Sequence, residues 1–393
     1  MLFPPHSPRI LYAVNNTVAG SIMADWSKLP YDIVHKVATH LSVIEDFLAF
    51  SAVCCSWRSV YLAKEWNPGP QVPVLMFSND DNINIRSFLS LNRNKVSNSE
   101  LPEARGRRCW GSSSGWLVTI GYDHEIRLLN PFTHVSYNLP PKSSLEISFG
   151  DFLSWYDIIE RAFVFRNPRT SDANEDLMVM IIYGTMKQLA LCRPGYSSWR
   201  CVKDKIHAEF IDVTCVKDQI FALSFMGVLV LIDIDSLAVT AISGQDPPRN
   251  VALSLITGGS EQISLVESSG DLWMVYQAQG RNPWRSRVES TAFLVYNFDF
   301  DNKQWIRLSN LGSRTIFVGD SSSIVVRATC SLKCESNSVY FVASRKENGW
   351  PKRMTHVNVG VYSVRSGVSV HLCIGPDIPK RFSFPMWVLP TLY

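Results

Sequence analysis

Apolar positions recur with two different periods along this chain. Between residues 25 and 66, Leu29, Ile33, Val37 and Leu41 repeat every four residues, with Val34 beside the stripe. That spacing predicts an amphipathic helix. Pro30 suits its first turn, where a missing N–H costs nothing. In the "SVIE" that follows, Ser42 is placed to cap a second helix, with Glu45 reaching back from three residues on. Phe47, Leu48 and Phe50 supply the apolar side of that helix. A third helix is expected from about Ser51, with Val53, Trp57, Val60 and Tyr61 at helical spacing, and "NPGP" at 67–70 ends the region. Three helices in this span lie near the lower size limit for folding alone. Such a piece is expected to leave apolar surface for a partner; a helical cap packed on the next domain is the alternative.

From residue 71 on, short apolar runs alternate with turn residues, and a unit repeats. "EIRLLNPFTHVSYNL" (125–139), "KQLALCRPGYSSWRCV" (187–202), "GVLVLIDIDSLAVTAI" (227–242), "AFLVYNFDFDNKQWIRL" (292–308) and "VGVYSVRSGVSVHL" (359–372) each read as a strand, a turn and a strand. A further apolar strand precedes each: "GWLVTI", "MVMIIYG", "QIFALS", "GDLWMVYQ" and "SVYFVAS". "VPVLMFS" with "IRSFLSL" (72–91) reads as a sixth, degraded copy. One such unit cannot bury its sheet faces alone, so copies stack, and closing the ring protects their edges. The expected fold is therefore a small all-α module followed by an all-β propeller of six or seven kelch-like blades. A two-sheet sandwich fits the regular recurrence less well.

Composition narrows the function. With 46% hydrophobic and 19% charged residues, the chain is an ordinary globular protein rather than a disordered one. A net charge of +3, with both signs mixed along the chain, offers no field for nucleic acid or an anionic membrane. In the helical piece Lys28, Lys36, Arg58 and Lys64 face Asp25, Asp32, Glu45, Asp46 and Glu65, which argues against a DNA-reading helix. Nine cysteines at irregular spacing in apolar surroundings read as reduced thiols of an intracellular protein. Cys330 and Cys334 have a metal-like gap but no second pair nearby, so no metal or cofactor is expected. No run reaches the length of a membrane span or a signal h-region, and residues 1–24 read as a loose leader.

The opening residues carry a resemblance. "W-S-x-L-P-x-D-I-V" and "F-x-A-F-S-A-V-C-x-S-W-R-S-V" resemble the F-box, with Leu29, Pro30, Ile33, Val53, Cys54, Trp57 and Arg58 at the family's positions. Asp32 stands where many members have Glu. The resemblance implies docking of a Skp-type adaptor, and through it a cullin-RING ubiquitin ligase. Leu29, Pro30, Ile33, Leu41, Val53, Cys54 and Trp57 would form or support that surface. "CWGSSSGWLVT", "LLNPFT", "FVGDSSS", "NSVYF" and "PMWVLP" in turn resemble the KIB-type β-propeller domain of a large plant F-box family, over most of residues 71–393. These motifs are structural and do not specify a target. The aspartate usual near the late "VYS" strand is absent, so that blade is expected to differ in detail.

Enzymatic signatures are weak. "GSSSG" (111–115) fits G-x-S-x-G, but a strand follows it where a nucleophile elbow needs a helix, so it reads as a turn entering a blade. The histidines are scattered, and Asp80-Asp81 and Glu175-Asp176 sit in polar runs. Two stretches set Arg beside Trp: "ARGRRCW" (104–110) and "GRNPWRSRVES" (280–290). Such pairs are enriched at binding hot spots, although exposed Arg stems also cover neighbouring aromatics. The longer stretch interrupts a blade, and Arg281, Trp284, Arg285 and Arg287 are the expected target contacts. The resulting expectation is a non-catalytic substrate receptor of a Skp–cullin–F-box ligase, in nucleus or cytoplasm. A propeller-borne hydrolase and a non-degradative adaptor-binding scaffold are the alternatives.

Overall fold

A computed structural model describes residues 25–63, 69–79, 82–147, 154–166, 177–203, 208–242, 247–248, 251–252, 262–279, 291–321, 323–329, 334–346, 354–372 and 384–392. Residues 1–24, the acidic pairs Asp80-Asp81 and Glu175-Asp176, Cys330 and the stretch 280–290 lie outside the described residues. The chain divides into two compact units, 1–69 and 70–393. No described helix is long and apolar enough to cross a membrane.

The first unit holds α1 (Tyr31–Thr39), α2 (Ile44–Ser51) and α3 (Cys55–Leu62), preceded by a 3-10 turn at Trp26–Lys28. Helices this short are marginal in isolation and depend on packing. Val34 and Ala38 of α1, Ile44, Phe47 and Phe50 of α2, and Val60 of α3 are buried together. Each large member contributes about 1.5–3 kcal/mol. Trp57 closes this small core, its ring 4.6 Å from that of Phe50 and its indole N–H donating to the Trp26 carbonyl at 3.0 Å.

The N-cap of α2 is Val43, one residue after the Ser42 that the sequence pointed to. The third helix starts at Cys55, because Ala52 and Val53 turn the chain between α2 and α3.

The second unit is a six-bladed ring. Blade one contains β1 (Val74–Ser78), β2 (Ile85–Ser90) and β3 (Lys95–Glu100). Blade two is β4 (Arg108–Trp110), β5 (Leu117–Ile120), β6 (Ile126–Leu129) and β7 (Ser136–Asn138). Blade three is β8 (Ile159–Arg166), β9 (Leu177–Tyr183), β10 (Gln188–Cys192) and β11 (Arg200–Cys201). Blade four is β12 (Phe210–Val216), β13 (Gln219–Ser224), β14 (Leu229–Ile232) and β15 (Val239–Ala241). Blade five is β16 (Gln262–Ser268), β17 (Asp271–Gln279), β18 (Thr291–Asp299) and β19 (Gln304–Leu308). Blade six is β20 (Arg314–Val318), β21 (Ser323–Arg327), β22 (Ser338–Lys346), β23 (Met354–Ser363) and β24 (Val368–His371). The last strand, β25 (Met386–Val388), pairs antiparallel with β1 and completes blade one.

Within blades two to five the four strands pair antiparallel in chain order, first strand innermost. Neighbouring inner strands touch: β8 meets β4 and β12, β12 meets β16, and β16 meets β21. Blade six departs from this plan, because β20 lies between β21 and β22 and runs parallel to β22. The degraded copy at 72–91 is a blade whose inner strand comes from the far end of the chain.

The blades are held by six apolar clusters, each shared by two neighbours. Strand β9 shows why its sequence is a continuous apolar run. Met178, Met180 and Ile182 pack toward blade four, while Val179, Ile181 and Tyr183 pack toward blade two. Both faces of a middle strand are buried, so no polar alternation survives. The outermost strands β3, β7 and β24 lie mostly in solvent.

Candidate functional site

None of the seven expected adaptor residues is buried. Pro30, Ile33 and Val53 are exposed, and Leu29, Leu41, Cys54 and Trp57 are half-buried. On α1 the residues that face the helical core are Val34 and Ala38, while Ile33 and Val37 of the four-residue stripe stand outside it. Ile33 and Val37, one turn apart, are each 43% exposed, and Val53 is 59% exposed. Trp26, Tyr31 and Leu62 are exposed as well. A unit this small with this much uncovered apolar surface has the composition of a docking face.

In the propeller, alternating strand direction sorts the connections. In blades two to five, the turn between second and third strands and the link to the next blade emerge on one face, called here the lower face. Tyr122 of the β5–β6 turn, Met186 of the β9–β10 turn and Met226 of the β13–β14 turn stand on it, exposed. Strand β17 ends and β18 begins on the same face; the residues between them, among them Arg281, Trp284, Arg285 and Arg287, lie outside the described residues.

"ARGRRCW" is not an exposed loop. The Arg107 guanidinium is buried; it donates to Thr119 Oγ1 at 3.0 Å, to both oxygens of Asp123 at 3.1 and 2.8 Å, and to the Glu125 carbonyl. Partial burial works against ionisation of Asp123. The Glu125 N–H and the charges of Arg107 and Arg127 outweigh it and hold the carboxyl below its usual value. Arg108 is enclosed among Trp110 and Tyr156, each 4.6 Å away, and Phe384 at 5.4 Å, and it donates to the Tyr156 carbonyl. Burial pushes its pKa down, against the fields of Tyr156, Asp157, Glu160 and Asp320. Sequence reasoning missed both burials, since the partners lie up to 276 positions away along the chain.

The ring's inner wall carries a buried charge pair. Arg161 of β8 lies 2.8 Å from Asp212 of β12, whose other oxygen accepts the Leu265 N–H of β16 at 2.6 Å. Burial opposes the charge on Arg161, and the Asp212 carboxylate overcomes it and raises the pKa. Burial likewise pushes Asp212 up, against Arg161 and the Leu265 and Val213 N–H groups. Three donors, from Arg161, Leu265 and Val213, meet on this one carboxylate. It rivets blades three, four and five.

"GSSSG" is a turn that receives the chain's last residues. The Ser112 hydroxyl donates to the Trp116 carbonyl at 2.7 Å. Gly115 has φ +82 and sits against Leu389 and Thr391, where a side chain has no room. Thr391 in turn donates to the Ser114 carbonyl at 3.0 Å. The seven described cysteines are free thiols, and burial pushes Cys215 up to about 11. Among the described residues no group of three His, Cys, Asp or Glu side chains is placed to hold a metal.

Comparison with known proteins agrees with this architecture. Residues 26–60 match the F-box domain, and residues 88–363 match the KIB1-4 beta-propeller. F-box protein SKIP23 of Arabidopsis thaliana is 23% identical over 93% of this chain and 96% of its own length. The putative F-box protein At3g25750 of the same plant is 25% identical, over 92% of this chain and 98% of its own length. F-box protein At2g26160, also from Arabidopsis thaliana, is 23% identical over 81% of this chain and 95% of its own. Since the propeller match alone covers more than half of the chain, this protein belongs to the KIB1-4 beta-propeller family and carries an F-box ahead of the ring.

Proposed function

We propose that this chain is a substrate receptor of a Skp–cullin–F-box ubiquitin ligase, acting inside the cell in nucleus or cytoplasm. The observation that carries the reading is an F-box match whose apolar residues Ile33, Val37 and Val53 are left uncovered by their own fold. The helical unit docks a Skp-type adaptor and through it a cullin, and the propeller holds a target protein. The chain itself does no bond chemistry; it raises the effective concentration of a target lysine near a charged conjugating enzyme.

Ile33→Ser with Val53→Ser tests the docking. Both side chains are exposed, so the helical unit keeps its fold, and co-purified adaptor is expected to fall to background. Adaptor retained at the wild-type level defeats the assignment. Blocking the proteasome separates a degradative receptor, whose captured target accumulates, from a scaffold, whose partner level does not change.

The connection from β17 to β18 is assigned to the target as well, on its sequence. Trp284 offers flat contact area, and Arg281, Arg285 and Arg287 offer forked donors for acidic groups. Replacing Trp284, Arg285 and Arg287 by Ala is expected to change the set of captured proteins and leave adaptor binding intact. An unchanged set removes this connection from the site.

A further inference from the structure

Two adjacent thiols, Cys54 and Cys55, stand at the start of α3 and follow directly on the exposed Val53. Of the seven described cysteines, Cys55 alone is exposed, and Cys54 is half-buried beside it. Cys54 is the N-cap of α3, but its side chain makes no capping bond. An exposed thiol with a second thiol poised next to it suits thiol–disulfide exchange: the first sulfur attacks and the second resolves the mixed disulfide.

Closing a ring between neighbours strains the backbone. Consecutive Cα atoms lie about 3.8 Å apart, whereas unstrained disulfides span about 4.4–6.8 Å. A Cys54–Cys55 disulfide therefore deforms the peptide that joins the two residues and is readily reduced again. That peptide carries the first bond of α3, from the Arg58 N–H to the Cys54 carbonyl at 2.9 Å. In the same turn Trp57 packs 4.6 Å from Phe50 and donates to the Trp26 carbonyl. Deforming the start of α3 displaces Val53 and loosens the tryptophan that closes the helical core.

We propose that Cys54 and Cys55 form a reversible redox site that switches adaptor docking off. The Cys55 thiolate attacks a low-molecular-weight disulfide, oxidised glutathione, breaking its S–S bond and releasing one thiolate. The Cys54 thiolate then displaces the second, and a Cys54–Cys55 disulfide remains. Two cysteine thiols are oxidised, one disulfide is reduced to two thiols, and the cysteine protons end on those thiols. The docking consequence rests on the receptor reading; the exchange does not.

Full-length protein equilibrated with mixtures of reduced and oxidised glutathione, then acid-trapped, digested and weighed by mass spectrometry, tests this. The peptide holding both cysteines is expected to lose two hydrogens in the wild type and to keep one glutathione in Cys54→Ser. In Cys55→Ser it is expected to stay reduced. Excess reduced glutathione is expected to return the wild type to the dithiol. Capture of a purified Skp-type adaptor is expected to fall at least about tenfold on oxidation, the size of a lost hot spot, and to be insensitive to oxidation in Cys55→Ser. Cys55 is exposed, so the Tm of reduced Cys55→Ser is expected to match the wild type, and the mass readout on the wild type needs no variant. A wild-type pair that stays reduced, one that retains glutathione without closing the ring, or an equal loss of capture in Cys55→Ser overturns the proposal. A reduced wild type that captures no adaptor defeats the receptor reading instead and leaves the mass readout standing.

Discussion

Arg161 and Asp212 show what single residues contribute to the ring. Their charges are buried between blades and satisfied by each other and by backbone N–H groups. Removing one partner leaves an unpaired buried charge, so Arg161→Ala is expected to cost about 3–5 kcal/mol in urea unfolding. Replacing both, as Arg161→Met with Asp212→Leu, is expected to recover much of that loss, since the desolvation penalty goes with the charges. Asp123 offers a test by pH. Its folded pKa is depressed, so its contribution is complete above the unfolded value of about 3.9 and is lost as pH falls through the lower folded value. The Tm gap between wild type and Asp123→Asn is expected to stay constant down to about pH 5 and to narrow as pH falls further. Neither Arg107 nor Arg108 was legible as a buried residue. Arginine is normally a surface residue, and only a carboxylate or an aromatic cage assembled by the fold makes its burial tolerable.

At the scale of elements, the helical unit was legible in number and place, and the family resemblance, not the periodicity, named Ile33 and Val53 as outward residues. Periodicity finds an apolar stripe without saying whether the stripe meets its own chain or another. Here Val34 and Ala38 pack inside, and Ile33 and Val37 point out. The two faces are expected to respond in opposite ways. Ile33→Ser with Val37→Ser is expected to change stability by less than about 1 kcal/mol and to abolish adaptor capture. Phe47→Ala, at a fully buried ring, is expected to cost about 3–5 kcal/mol and to unfold the unit. In the propeller, the second, third and fourth strands of blades two to five were readable, because their middle strands are buried on both faces and their turns are marked by Gly, Pro, Asp or Ser. The innermost strands were not. β4 has only three residues, and β8 and β12 carry Arg161 and Asp212, which interrupt the apolar run that betrays a strand.

At the scale of the whole molecule, ring closure decides the blade count. The incomplete copy at the start of the propeller takes β25 as its inner strand, which leaves six blades and no seventh. Trp387 of β25 fastens the joint: its indole N–H donates to the Val318 carbonyl of blade six at 3.1 Å, and its ring lies 5.1 Å from that of Phe317. The fragment 71–393 is expected to fold alone, with a circular dichroism helix content well below about a quarter. The fragment 71–380, lacking only the joint, is expected to lose its cooperative thermal transition. Gly115→Val, which crowds the seat of Leu389 and Thr391, is expected to lower Tm without reaching that extreme. The joint also sets an order of events during translation. The helical module precedes every blade along the chain, and the strand that shuts the ring follows every other blade strand, so the module leaves the ribosome before the ring can close. On the proposed function, a message cut short before the codon of Met386 yields a product that still engages the adaptor but presents an open ring. Such a product is a competitor of the intact receptor, not a weaker version of it, and its effect grows with its dose.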